Sequence, residues 1–169
     1  NEPGILGSPR DYGPAGEAAY RAEVPAELVA RLRTAEGGSV QALWRAAGGR
    51  EAGDWEALFG REGAECLTAW TIARYIDRIA EAGKAIHPLP MYVNVWLGEV
   101  EWGVPGDSYP SGGGVSKVLD LYRWAAPHVD LVAPDIYPQD PFGFRRLCAT
   151  YARPDNPLLV PESPTGGAN

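Results

Sequence analysis

The sequence predicts an α/β fold in which helices cover a parallel sheet. Three observations carry this. Almost wholly apolar runs occur at 91–97, 129–134 and 158–160, too short for helices and lacking the alternation of a sheet with one wet face. Between them lie segments whose apolar residues recur at three- and four-residue steps, the spacing of a helix packed on one side. Each apolar run ends in polar or acidic residues followed by a loop, the rhythm of strand, loop and helix that builds a parallel sheet.

Taken in order, residues 3–24 read as a long loop, rich in Gly4, Gly7, Pro9, Gly13 and Pro14, with a short helix over 16–21. Pro25 suits a first helical turn, and 25–34 places Leu28, Val29 and Leu32 on one face. Ser39 is positioned to cap a second helix containing Val40, Leu43 and Trp44, which Gly48-Gly49 ends. Asp54 caps a third piece over 55–59. The clearest helix covers 64–82, with Cys66, Ala69, Trp70, Ala73, Ile76 and Ala80 in step and Gly83 in the C′ position. The first strand, 91–97, is followed by a loop over 98–114 rich in Gly, Pro and acid. Val115, Val118, Leu119 and Tyr122 mark a helix over 115–126 that Pro127 ends, and the second strand is 129–134. A last helix over 142–152 stops before Pro154, and the third strand leads through Pro161 to Glu162.

Composition narrows the function classes. With 169 residues, 45 % of them hydrophobic, and six Trp, eight Tyr and three Phe, the chain can bury a sizeable core. Trp44, Trp55, Trp70 and Trp124 fall in helical patterns and read as packing residues. The 15 basic residues are scattered among 22 acidic ones for a net charge of −7, which argues against a nucleic-acid partner and for a neutral substrate. No run of 18 apolar residues is present, so no membrane span is expected. Cys66 and Cys148 read as buried free thiols. His87 and His128 precede strands, on the face opposite the strand ends. No His, Cys and carboxylate share a ligand spacing, so neither metal nor organic cofactor is expected. The chain opens at what reads as a strand end, Asn1-Glu2, and is therefore expected to be one portion of a larger catalytic domain.

The chemistry is concentrated where strands end. Asn1-Glu2, Asn94-x-Trp96, Asp135-x-Tyr137 and Pro161-Glu162 each follow an apolar run or open the chain, and no Gly-x-Gly-x-x-Gly turn follows any strand. Functional groups supplied by successive strand ends are what a (β/α) barrel displays on its C-terminal face. Retaining glycoside hydrolysis needs an acid and a nucleophile, both carboxyl groups, about 5–5.5 Å apart. Glu2 and Glu162, three strands apart, would face one another across a barrel mouth. Asp135 either contributes to the site or braces its strand end. Asp107, with Glu99 and Glu101, reads as solvated charge in the loop after the first strand.

The Asn-Glu pair and the glutamate three strands later resemble the clan A glycoside hydrolases. Asn1-Glu2-x-Gly4-Ile5-Leu6-Gly7, Ala73-Arg74-Tyr75-Ile76-Asp77-Arg78, Tyr92-Val93-Asn94, Tyr109-Pro110-Ser111-Gly112-Gly113 and Ala133-Pro134-Asp135-Ile136-Tyr137 together resemble a bacterial branch of family 35, the β-galactosidases. The resemblance implies a partial (β/α)8 TIM barrel, from the end of β4 through β7, with strands 1–3 and 8 outside the chain. It implies Glu2 as acid/base and Glu162 as nucleophile, with Asn1 bonded to the sugar 2-hydroxyl, Tyr137 donating to Glu162, and Asn94 and Trp96 as candidates for the sugar subsite, the indole offering an apolar face to the C–H bonds of a pyranose. A β-galactoside is the implied substrate, and a periplasmic or extracellular location is compatible with it. Pro3 departs from the family, which usually has Tyr or an aliphatic residue there. The sugar thus stays open between a β-galactosidase and another clan A activity, a β-mannosidase or arabinosidase, with a non-catalytic sugar-binding barrel as the alternative of a different class.

Overall fold

The computed structural model describes residues 2–98, 103–137 and 140–164. Four helices precede the first strand: α1 (Pro14–Arg21), α2 (Ala26–Thr34), α3 (Ser39–Ala46) and α4 (Trp55–Phe59). A 3₁₀ turn at Gly60–Glu62 leads into α5 (Gly63–Ile86), which buries Cys66, Ala69, Trp70, Ala73 and Ala80 as the periodicity predicts. Then come β1 (Tyr92–Val95), a 3₁₀ turn at Ser116–Val118, α6 (Leu119–Ala125), β2 (Leu131–Pro134) and α7 (Pro141–Tyr151). No helix among the described residues is long and apolar enough to cross a membrane.

β1 and β2 pair in parallel, with Val93 opposite Val132 and Asn94 opposite Ala133. The crossover between them carries α6, which packs on α5, while α5 also packs on α4 and α3 on α6. Val93, Val95 and Val132 join Leu121 and Tyr122 in the apolar core. Gly114 lies where these elements meet: a Cβ there would stand 2.7 Å from Val132 Cγ1 and 3.3 Å from the Tyr122 ring, so the close approach requires glycine. Trp44, Trp55 and Trp70 are buried and Trp124 packs against the same core.

Two further main-chain stretches flank this pair. On the β1 side, the Glu2 N–H donates to the Asn94 carbonyl at 3.1 Å. On the β2 side, the Ile136 N–H donates to the Glu162 carbonyl at 3.0 Å. Four consecutive stretches of chain therefore lie side by side in sequence order: residue 2, β1, β2 and residue 162.

Several local expectations are corrected. The run 158–160 forms no strand. Pro157 and Pro161 remove two ladder donors, and the Asn156 side chain occupies β2 instead, its Oδ1 accepting from Val132 N–H at 2.8 Å and its Nδ2 donating to Val132 O at 2.9 Å. Gly83 does not stop α5. It lies inside the last turn, with the Met91 thioether 3.6 Å from where its Cβ would be. Ser39 does not cap α3 with its own side chain. The Asp120 carboxylate from α6 accepts from Val40 N–H and Ser39 Oγ, both at 3.3 Å. Asp54 does cap α4, accepting from Ala57 N–H at 2.9 Å. Both cysteines are free; Cys66 is buried, but Cys148, on α7, is only partly so. His128 is held by Asp77, whose Oδ1 accepts its N–H at 2.7 Å.

Candidate carboxylate site

Asn94 stands between the two buried valines of β1, Val93 and Val95, and is itself only 9 % exposed. Its register opposite Ala133 puts Asp135 one step beyond the end of β2, where the Asp135 N–H donates to Val95 O at 3.0 Å. The Asn94 amide thereby reaches Asp135 Oδ2 at 2.9 Å, and Glu162 Oε1 at a longer 3.5 Å. Tyr137, two residues after Asp135 and so on the same side of an extended chain, donates its hydroxyl to Glu162 Oε2 at 2.7 Å.

Glu2 arrives from the other flank. Its φ of +41° is unusual for a residue with a side chain. Such conformations cost about 1–3 kcal/mol and cluster at functional sites. Here the backbone bond to Asn94 fixes the residue at the edge of β1. One carboxylate oxygen each from Glu2, Asp135 and Glu162 lies within 4.8 Å of the others. Glu2 and Glu162 are half-buried, whereas Asp135 is 2 % exposed.

Crowding sets the protonation of the group. Loss of water on burial, opposed by the Asn94 hydrogen bond and reinforced by the charge of Glu162 and by the hydrogen-bond contact and charge of Glu2, pushes the Asp135 carboxyl up to about 6. Tyr137 is raised because its hydroxyl donates to the Glu162 carboxylate, which a phenolate would repel. Asp135 Oδ1 is buried and has no hydrogen-bond partner among the described residues.

Glu2, Asp135 and Glu162 have the spacing to hold a cation. Both Glu162 oxygens and Asp135 Oδ2 also accept hydrogen bonds from Tyr137 and Asn94. Glu2, Asn94, Asp135, Tyr137 and Glu162, all singled out in the sequence, are thus brought together. Trp96 follows β1 directly and is 37 % exposed. Asp107 is exposed in its loop, as read. Asn1, Glu99 and Glu101 lie outside the described residues.

Sequence reasoning missed Asn156. It is fully buried, and besides gripping Val132 it donates to Tyr151 O at 3.0 Å, which fixes where the chain turns toward Glu162. Standing between Asp155 and Pro157, it reads as an ordinary loop residue, and nothing local marks it. A separate cavity of about 630 Å³ opens between the loops carrying Tyr12 and Val104, and none of the three carboxylates lines it. Its buried Arg10 is sandwiched by Tyr12 and Tyr20, 3.9 and 4.2 Å from the ring centres, and paired with Glu17 at 2.6 Å, so its guanidinium is committed to packing. Comparison with protein-family models and with curated proteins returns no match.

Proposed function

We propose that this chain carries the catalytic face of a retaining glycoside hydrolase built on a (β/α)8 barrel, of which it contributes the stretch at Glu2, β1, β2 and the stretch that ends at Glu162. The observation that carries the proposal is the convergence of Glu2 and Glu162, from opposite ends of the chain, to within 4.8 Å between carboxylate oxygens. An approach this close is compatible with the retaining mechanism, in which the carboxyl groups stand about 5–5.5 Å apart.

The donors distribute the roles. Glu162 accepts from Tyr137 and Asn94, which hold its carboxylate in one orientation and give it the part of the nucleophile. The Glu2 carboxyl instead faces the Asp135 carboxyl at hydrogen-bond reach, and takes the part of the group that protonates the leaving oxygen. In the first step the Glu162 carboxylate attacks the anomeric carbon while Glu2 protonates the departing oxygen. In the second, Glu2 takes a proton from water as water displaces the glycosyl group from Glu162. The glycosyl group is bonded to the protein only through Glu162, and both glutamates are restored.

The finer assignment, a β-galactosidase acting on a terminal β-galactoside, rests on the motif resemblance around Glu2, Asn94, Tyr109 and Asp135. Trp96 and Asn1 are assigned to the sugar subsite on the same basis. A panel of nitrophenyl glycosides applied to the complete protein tests it. Hydrolysis of the β-galactoside above the β-mannoside and arabinoside is expected, and its abolition in E162Q with folding retained. Unchanged turnover in E162Q would overturn the hydrolase assignment. Activity abolished by a chelator and restored by a divalent metal would assign the three carboxylates to a cation instead.

A further inference from the structure

Three carboxyl groups crowd one small volume, yet the two-carboxylate mechanism uses only two of them. Asp135 is the third, and three features set it apart. It is the most buried of the three, at 2 % exposure. One of its oxygens accepts from Asn94, while the other, buried Oδ1 has no partner among the described residues. The groups that act on it from the neighbouring stretches are Glu2 on one side, Glu162 on the other and the neutral amide of Asn94, with Tyr137 two residues along its own stretch; no cation is among those acting on it. Like charges this close cannot all ionise, so the cluster keeps a proton where isolated carboxyl groups would have lost it. Both Glu162 oxygens are taken by the donors Tyr137 and Asn94, whereas Asp135 and Glu2 are in hydrogen-bond contact with one another, which places the proton between them.

We propose that Asp135 is a positioning residue for the acid step, sharing with Glu2 the proton that the crowded carboxyl groups retain, so that Glu2 remains an acid while Glu162 remains ionised. The inference rests on the glycosidase reading above. In the first half-reaction the shared proton leaves through Glu2 to the glycosidic oxygen as the C–O bond breaks. In the second it returns to Glu2 from water, and the pair shares it again.

The test compares D135N with wild type in the complete protein. Asparagine preserves shape and can still accept from Asn94, but it neither titrates nor carries a charge that keeps Glu2 protonated. The alkaline limb of kcat/KM is expected to move down by about one pH unit. Hydrolysis of a β-galactoside with an alkyl leaving group is expected to fall about ten-fold, a part of what general acid catalysis supplies. A dinitrophenyl galactoside, whose leaving group departs without protonation, should be nearly unaffected. A uniform loss on both substrates with an unmoved pH profile would reduce Asp135 to a structural brace and overturn the proposal. E162Q separates the two claims: if it abolishes turnover of both substrates while D135N behaves as wild type, Asp135 alone is misassigned; if E162Q is active, the glycosidase reading itself fails. Should D135N not fold, infrared spectroscopy of wild-type protein provides the second reading. A protonated carboxyl band persisting above pH 5 and lost in E2Q supports the shared proton, and its absence overturns it.

Discussion

Replacing Asn156 by alanine should be among the most damaging single changes outside the carboxylate cluster. The side chain makes three hydrogen bonds of 2.8, 2.9 and 3.0 Å, to Val132 N–H, Val132 O and Tyr151 O. Asn156 is fully buried and Val132 is 1 % exposed, so water cannot take its place. Each bond contributes about 0.5–1.5 kcal/mol net, and each buried group left unpaired costs about 1–3 kcal/mol, giving an expected loss of about 3–5 kcal/mol. That is a large share of the roughly 5–15 kcal/mol that holds a domain together. At about 2–4 °C per kcal/mol for a domain of this size, the melting temperature should drop by about 10 °C. N156D, which keeps the shape and the acceptor but turns the donor nitrogen into an oxygen facing two carbonyls, should lose as much. Urea denaturation of the complete protein provides the measurement. A loss below about 1 kcal/mol in both variants would refute the reasoning, because it would mean that water or a main-chain partner reaches this edge of β2.

Two other outcomes follow from buried charge. D120A removes the carboxylate that pairs with Arg153 at 2.6 Å and caps α3 through Val40; a loss of about 2–4 kcal/mol is expected in urea melts, and one under 1 kcal/mol would show the pair to be replaceable by solvent. Asp135 holds its proton until about pH 6 when folded but ionises near 3.8 when unfolded, so the folded chain binds more protons between these values. Stability is therefore fully present below the unfolded value and falls as pH rises through the folded one. D135N should be more stable than wild type above pH 6, with that advantage vanishing below about pH 4, as followed by urea midpoints across the range.

The helices that could be read from the sequence are those whose signal is local. Leu28, Val29 and Leu32 face one way because of their spacing, and Asp54 caps α4 because it stands directly before Trp55. The errors occur where a partner from elsewhere displaces the local one. Ser39 yields the cap of α3 to Asp120, which is distant in sequence, and Gly83 stays inside α5, which runs on to Ile86 with Met91 beside the glycine. The run 158–160 has strand composition, but prolines at both ends and the Asn156 amide leave β2 little to pair with. For the candidate site, Asp135 and Tyr137 share a side by simple alternation. The approach of Glu2 to Glu162 is visible only by counting strands, and the bridging by Asn94 depends on a register between β1 and β2 that no local pattern contains.

The spacing of the four adjoining stretches also explains why the middle carboxylate is an aspartate. Neighbouring stretches of a sheet lie about 4.8 Å apart, so Glu2 and Glu162, on the two outer stretches, start from backbones about three spacings, or 14 Å, apart. Their oxygens nevertheless come within 4.8 Å of one another. Both side chains must lean inward at nearly full reach, or the stretches must curve so that the carboxylates face the concave side, as the proposed barrel would arrange. A residue between them has less distance to cover. The shorter Asp135 side chain meets Asn94 Nδ2 at 2.9 Å without passing beyond the two glutamates. The positive φ of Glu2 fits the same constraint. At the end of the β1 flank the backbone must hold its bond to Asn94 O while the chain turns toward Pro110 and Ser111, where Gly4 and Ile5 dock. The fold tolerates the conformational cost there because the position of one carboxyl group depends on it.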